Sequence, residues 1–159
     1  MNENLKAITN LSSVDSSIIL HRYEETTPPY HTSIDISATG LYNLYQGVVC
    51  FIGNESGNTQ FVCVKLSGAY ILKYGHLESV STGLNCRIRP GEVVGVCKKF
   101  GTFEFLTPSK SKFPIYVNSD KYYKHDPTDI LINDILPTIR VSSYASTSDN
   151  SVALVGLET

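Results

Sequence analysis

Short runs of apolar and β-branched residues alternate with Gly, Asn and Ser clusters from Ile34 onward, at intervals typical of strands joined by turns. A repeat with helical spacing is hard to find before Asp126. The predicted strands span residues 34–37, 47–53, 60–66, 70–76, 92–98 and 102–106. The chain is therefore predicted to be mainly β, as an antiparallel β-sandwich or a twisted open sheet.

Two connections carry residues that favour turns. Residues 54–58, Asn-Glu-Ser-Gly-Asn, and the pair Ser67-Gly68 each stand between apolar runs. Strands joined by such tight turns pair antiparallel. Asp126-Pro127, followed by apolar residues, predicts a single helical turn with an acidic cap and Pro at the first helical position.

The ends of the chain are less clearly patterned than its middle. Residues 1–27 are predicted to form an N-terminal arm, in which Ile18 to Leu20 is a short apolar anchor or edge strand. Residues 28–135 are predicted to form one β domain, because 159 residues suffice for one core but not for two. Residues 136–159 read as a C-terminal arm, with a Ser-rich linker and a short apolar segment that either completes this sheet or joins a neighbour's.

Charge and hydropathy exclude several classes of partner. The net charge is -2 and no basic run is present, so we expect no nucleic-acid partner. No apolar run approaches the ~20 residues that a membrane span requires. Residues 1–17 lack the basic and apolar regions of a secretory signal, so we do not expect secretion by that route.

The four cysteines are Cys50, Cys63, Cys86 and Cys97, and they contain no Cys-x-x-Cys pair. All lie within apolar strand patterns. Buried free thiols are the simplest interpretation for a protein made in a reducing compartment, although disulfides stay open at this point.

His31 and Asp35 are residue types that bind metals, four positions apart. The β-branched alternation of residues 32–36 predicts a strand, and a straight strand would hold the two roughly 13 Å apart. Zinc bonds are about 2 Å long, so shared binding needs a bend. Thr27-Pro28-Pro29 makes a bend plausible by placing His31 on an incoming loop. The spacing also fits a surface histidine and a turn-capping aspartate. His21, beside Arg22, is expected to be a solvated surface residue.

Several segments resemble, in order, those of the lysostaphin-type zinc endopeptidases, which cut peptidoglycan cross-bridges. Residues 30–36 resemble the family's His-x-Gly-Ile-Asp motif, and Gly47-Val48-Val49 resembles the strand that follows it. Tyr74-Gly75-His76-Leu77 resembles the Tyr-x-His-Leu segment, and residues 82–95 resemble the glycine-containing run beside it. Phe103-Glu104-Phe105 resembles the end of the closing His-x-His-Phe-Glu strand, and Asp126-Pro127 resembles an Asp-Pro near the end of the domain. The resemblance covers about residues 28–131 and implies the β fold of that family.

The resemblance also implies a zinc site. In that family the His and Asp of the first motif and the second His of the closing strand bind zinc, water takes the fourth position, and two further histidines orient that water. Carried over, His31 and Asp35 would be metal ligands and His76 an acid/base or oxyanion-stabilising residue. The alternative for His76 is a strand-end histidine that is hydrogen-bonded within the sheet.

The chain departs from this pattern in the closing strand, where Phe100 and Thr102 occupy the two histidine positions. A threonine hydroxyl is a poor zinc ligand. Loss of the first histidine removes a general acid–base group, and such groups typically raise the reaction rate about 10²–10⁴-fold. Residues 98–100 also predict a loop that is shorter than the glycine-rich loop of the family, which forms one wall of the substrate groove there.

Two residues are candidates to replace the missing ligand, namely Cys97 and His125. The simpler expectation is that no cofactor is bound, and that His31 and Asp35 hydrogen-bond to one another or to neighbours in a metal-free pocket. Zinc is expected only if a third ligand exists.

The preferred prediction is a non-catalytic structural or docking component of a bacteriophage tail tip, baseplate or related phage-like particle. Its partners would be other subunits of that assembly or copies of this chain. It would be made in the bacterial cytoplasm and incorporated into the particle. Two alternatives stay open: an active zinc endopeptidase with an altered third ligand, and a peptidoglycan-binding module.

Overall fold

The computed structural model describes residues 2–67 and 69–137, and its strands form one open antiparallel sheet. The strands are β1 Ile19–His21, β2 Ile34–Ile36, β3 Gly40–Tyr42, β4 Gly47–Glu55, β5 Thr59–Lys65, β6 Ile71–Val80, β7 Arg87–Ile88, β8 Val93–Thr107, β9 Pro114–Val117 and β10 Asp120–His125. The helices are α1 Glu3–Thr9 and α2 Thr128–Leu131, with a 3₁₀ turn at Ser16–Ile18. The predicted mainly β, antiparallel fold class is confirmed.

Strand β8 organises the sheet. It pairs with β6 along one edge, and with β3, β2 and β10 in succession along the other. The prediction of two strands at 92–98 and 102–106 is wrong, because residues 93–107 form one strand that is paired on both edges before and after an irregular stretch at residues 98–100. The predicted loop at residues 98–100 is a bulge instead: Thr102 faces Gly75 and Cys97 faces Leu77, so four residues of β8 oppose His76.

Alternation along β8 separates the two faces of the sheet. Phe103 and Phe105 point into the main core, whereas Leu106 belongs to a smaller cluster on the opposite face. The main core also contains Leu5, Ile8, Ile34, Ile36, Leu41, Val62, Leu72, Tyr74, Ile130 and Leu131. Thr102 and Glu104 therefore lie on the face away from the main core.

The N-terminal segment packs against the domain. Leu5 and Ile8 of α1 are fully buried in the main core. The Asn4 amide donates to the Tyr45 hydroxyl and to the Ile130 carbonyl, both at 2.8 Å. Sequence reasoning missed α1, since three apolar residues in a seven-residue segment make no clear periodic signal. Part of the predicted arm 1–27 therefore contributes to the core, and the predicted edge strand at residues 18–20 corresponds to β1.

The C-terminal region is described as far as residue 137, so residues 138–159 of the predicted C-terminal arm lie outside the described part. The predicted helical turn after Asp126 is present as α2, although Pro127 is its N-cap and not its first helical residue, and Asp126 Oδ1 accepts the Thr128 N–H at 2.9 Å. In residues 2–67 and 69–137, neither helix has the length and apolar composition to cross a bilayer.

Candidate metal site

The Asp35 carboxylate is the point at which the candidate site residues meet. Asp35 lies in the middle of β2 and is 7% exposed. Across the ladder it faces His21 on β1 and Thr102 on β8. Directly opposed residues of antiparallel strands share a face and have Cβ atoms about 4.5–5.5 Å apart. Each neighbouring strand therefore presents one side chain beside this carboxylate.

Two histidines reach the same oxygen of Asp35. The Nδ1 atom of His21 lies 3.0 Å from Oδ2, and the Nε2 atom of His31 lies 3.2 Å from it. The two rings are 5.4 Å apart between centroids. One candidate ligand atom from each of the three residues lies within 4.8 Å of the others. The cluster thus contains two imidazoles and one carboxylate.

His31 reaches Asp35 because the chain bends before β2 begins. His31 does not extend the strand but forms a two-residue bridge with Glu24, whose N–H donates to the His31 carbonyl at 2.7 Å. The bend on which shared metal binding depends is therefore present. The chain thereby brings the two residues together in spite of the roughly 13 Å that a straight strand would impose.

The hydrogen bonds limit what can lie between these residues. The Arg22 carbonyl is 2.9 Å from His31 Nδ1 and can only accept, so Nδ1 carries a hydrogen. The Nε2 atom of His31 then needs either a second proton or a cation to face a carboxylate oxygen. His21 Nδ1 faces the same oxygen and can donate to it as the N–H of a neutral ring or bind a cation beside it. The cluster is therefore a site for protons or for one cation.

The donor types and the two nitrogen–oxygen separations fit a zinc ion. Tetrahedral zinc with bonds near 2.0–2.1 Å places its donor atoms about 3.3 Å apart, and the two nitrogen–oxygen separations here are 3.0 and 3.2 Å. Histidine and carboxylate are ordinary zinc ligands. Metal-ligating histidines usually donate their other ring N–H to a carbonyl or a carboxylate, as His31 does to Arg22.

Sequence reasoning missed the part that His21 takes in this cluster. Its side chain is 69% exposed, as a solvated surface histidine would be, yet its ring nitrogen contacts Asp35. The signal that could have found it is the apolar run Ile18 to Leu20, which predicts an edge strand able to pair with β2. The expected hydrogen bond between His31 and Asp35 is present.

The two residues that we considered as replacement ligands lie elsewhere. Cys97 is buried, and burial raises the pKa of its thiol to about 11. The Nε2 atom of His125 is 2.7 Å from the Ser109 carbonyl. Neither residue belongs to the metal-ligand cluster of residues 2–67 and 69–137.

His76 is held by the bulge on β8. Its Nδ1 atom lies 3.1 Å from the Phe100 carbonyl oxygen, and its ring stacks on the Phe100 ring at 3.9 Å between centroids and 13° between planes. His76 therefore lies within β6 at this bulge rather than at a strand end, and its ring is hydrogen-bonded within the sheet. Phe100 covers one face of the imidazole.

Charged residues continue along the same face of the sheet. Lys73 Nζ lies 3.1 Å from Glu104 Oε2 and 3.4 Å from Glu55 Oε1. Lys124 Nζ is 3.2 Å from Glu104 Oε1, an ion pair without hydrogen-bond geometry. Burial by itself lowers the pKa of Lys73, but Glu104 and Glu55 outweigh burial and raise this pKa above its ordinary value. We call Lys73, Glu104, Glu55 and Lys124 the charged cluster.

Comparison with known proteins identifies the fold. The sequence matches no protein-family model and no curated protein. A catalytic domain of the prophage-encoded M23 protein EnpA from Enterococcus faecalis is 20% identical, over 57% of this chain and 80% of that one, with a TM-score of 0.51. LytU is 16% identical over 86% and 90%, with a TM-score of 0.52. Lysostaphin from Staphylococcus simulans is 17% identical over 71% of this chain and 48% of its own, with a TM-score of 0.54. This chain has the fold of the lysostaphin-type M23 peptidase domains.

Proposed function

We propose that this chain is a non-catalytic protein with a lysostaphin-type fold, which serves as a structural or docking subunit of a bacteriophage tail tip, baseplate or related phage-like particle. The stacking of Phe100 on His76 is the main support for the non-catalytic part of this proposal. The partners would be other subunits of the particle or further copies of the chain.

Peptide hydrolysis requires a group that can move a proton to and from the reacting atoms. The Nδ1–H of His76 donates to the Phe100 carbonyl, which leaves Nε2 as the single basic nitrogen of a ring whose face is covered by Phe100. The other position that the family resemblance assigns to such a histidine holds Phe100 itself. The same resemblance places a zinc ligand at Thr102, whose hydroxyl zinc does not favour.

The charged cluster supports the same conclusion. On the face that carries Asp35 and Thr102, Lys73 and Glu104 are buried and paired with one another. Charges that are neutralised within the protein are not available to orient a peptide substrate. They do make this face a fixed, well-specified surface of the kind that a structural subunit needs.

The phage-like setting rests on a different observation. EnpA, which has the same fold, is described as prophage-encoded, so this fold occurs among phage genes.

Hydrolysis is tested by incubating purified protein, with and without zinc, with peptidoglycan from several Gram-positive bacteria and measuring the release of new amino groups. We expect no release, and an active peptidase of this fold serves as the positive control. Zinc-dependent release that disappears in His31→Ala would show an active endopeptidase instead. Sedimentation with cell walls in the absence of release would favour a peptidoglycan-binding module.

Assembly is tested on particles induced from the source strain and purified by density gradient. We expect quantitative mass spectrometry to find this chain at a fixed ratio to the other tail proteins. Its recovery only as a free monomer in the lysate would refute the assignment to a particle.

A further inference from the structure

We propose that His21, His31 and Asp35 bind one zinc ion, in a site whose third protein ligand comes from the N-terminal strand β1. The family resemblance assigns that third ligand to position 102 of β8, where this chain has threonine. The proposal is independent of the proposed function, since a zinc ion in this position can serve a structural subunit or an enzyme.

The sheet explains how a ligand can change strands. Asp35 has two cross-strand neighbours in register, Thr102 on β8 and His21 on β1. The two positions therefore lie on the two strands that neighbour β2, one on each side of Asp35. A histidine on either strand can therefore reach the carboxylate while His31 stays in place. In this chain the histidine is on β1.

The donor types favour zinc or a similar transition metal over the common alkaline-earth ions. Calcium and magnesium take oxygen ligands, whereas two of the three donors here are imidazole nitrogens. Three protein ligands leave a fourth position for water. Since His21 is largely exposed and His31 is partly exposed, an ion can enter from solvent without unfolding.

The site has a structural consequence for the N-terminal segment. Strand β1 is three residues long, lies at the edge of the sheet, and pairs with β2 through an irregular register. A metal ion bound by both β1 and β2 would link His21 to Asp35 and so hold β1 against the sheet. Ions that bind the native state and not the unfolded state raise the unfolding temperature.

The decisive experiment is calorimetric titration of the metal-stripped full chain with zinc, together with elemental analysis of the product. We expect one equivalent of zinc for the wild type, and affinity at least tenfold lower for His21→Ala. The matched control is His125→Ala, which removes a histidine that bonds to the Ser109 carbonyl away from the cluster. This control should bind zinc like the wild type, and magnesium should not bind at the site.

A second measurement keeps the test independent of activity. Zinc should raise the unfolding temperature of the wild type and of His125→Ala, and should leave that of His21→Ala nearly unchanged. Because His21 is 69% exposed in its side chain, its truncation should not prevent folding, which circular dichroism will check. Zinc should also slow proteolysis between residues 10 and 30 in the wild type.

Two results would overturn the proposal. One is the absence of stoichiometric zinc in the wild type, and the other is zinc binding by His21→Ala at wild-type affinity. Peptidoglycan release is measured separately, so the two proposals fail separately. Zinc binding with hydrolysis would overturn only the non-catalytic function, and absence of zinc would overturn only the metal site.

Discussion

The charged cluster offers the sharpest test of how this fold is stabilised. In Lys73→Met the ammonium group is lost while an apolar stem of similar length is kept. The side chains of Lys73 and Glu104 are only 8% and 7% exposed, and their charged atoms are 3.1 Å apart. After the substitution the Glu104 carboxylate stays buried, and Lys124, which is 23% exposed in its side chain, is its remaining cation.

The magnitude follows from this burial. Removal of one partner of a buried pair costs about 3–5 kcal/mol, because the other charge is left without compensation. Since Lys124 stays 3.2 Å from Glu104, we expect the lower end, about 3 kcal/mol. For a domain of this size that corresponds to a decrease of about 6–12 °C in Tm. The double substitution Lys73→Met/Glu104→Leu should restore stability to within about 1 kcal/mol of the wild type, since well-packed apolar residues often replace a buried pair without loss.

The assay is urea unfolding of the wild type, both single variants and the double variant, from which the coupling energy of the pair is obtained. Lys6→Met is the matched control, because Lys6 pairs at 3.1 Å with Glu3, whose side chain is 71% exposed. Surface pairs of this kind contribute about 0–1 kcal/mol. A loss below about 1 kcal/mol in Lys73→Met, or a double variant that loses the sum of the singles, would refute the reasoning.

Three further predictions concern the core and the thiols. Gly75→Ala should lower the free energy of unfolding in urea by about 1–3 kcal/mol, because the added Cβ would lie 2.5 Å from the hydroxyl oxygen of a threonine. The control Gly83→Ala, whose Cβ would have its nearest contact at 3.4 Å, should lower it less. Equal losses in the two variants would contradict this prediction. Tyr74→Phe should lower the free energy of unfolding by about 1–3 kcal/mol, because the buried hydroxyl donates to an asparagine side chain and accepts from a backbone N–H, both at 2.9 Å. An unchanged midpoint of urea unfolding would contradict this prediction. A thiol reagent at pH 8 should modify the exposed Cys86 quickly and Cys97 only slowly, because burial raises the Cys97 pKa to about 11. The labelling rate of Cys97, followed by peptide mapping, should increase as the pH rises toward that value. Fast labelling of Cys97 at pH 8 would contradict this prediction.

The long strands could be predicted because their signal is local. The strands β4, β5 and β6 are seven to ten residues long, and each contains a run of apolar and β-branched residues that by itself favours an extended form. The short elements β3, β7 and β9 have two to four residues, and their existence depends on the strand each pairs with. Helix α1 is likewise held by burial of Leu5 and Ile8 rather than by its own periodicity.

The sequence by itself determined the mainly β character, the order of the lysostaphin-like segments, and the absence of histidine at positions 100 and 102, because each of these is a property of neighbouring residues. Only the tertiary structure decided what surrounds Asp35. His21 is fourteen residues away from it, and their contact depends on the pairing of β1 with β2. The stacking of Phe100 on His76 depends in the same way on a bulge between β8 and β6. Contacts across strands are set by register, which no single segment encodes.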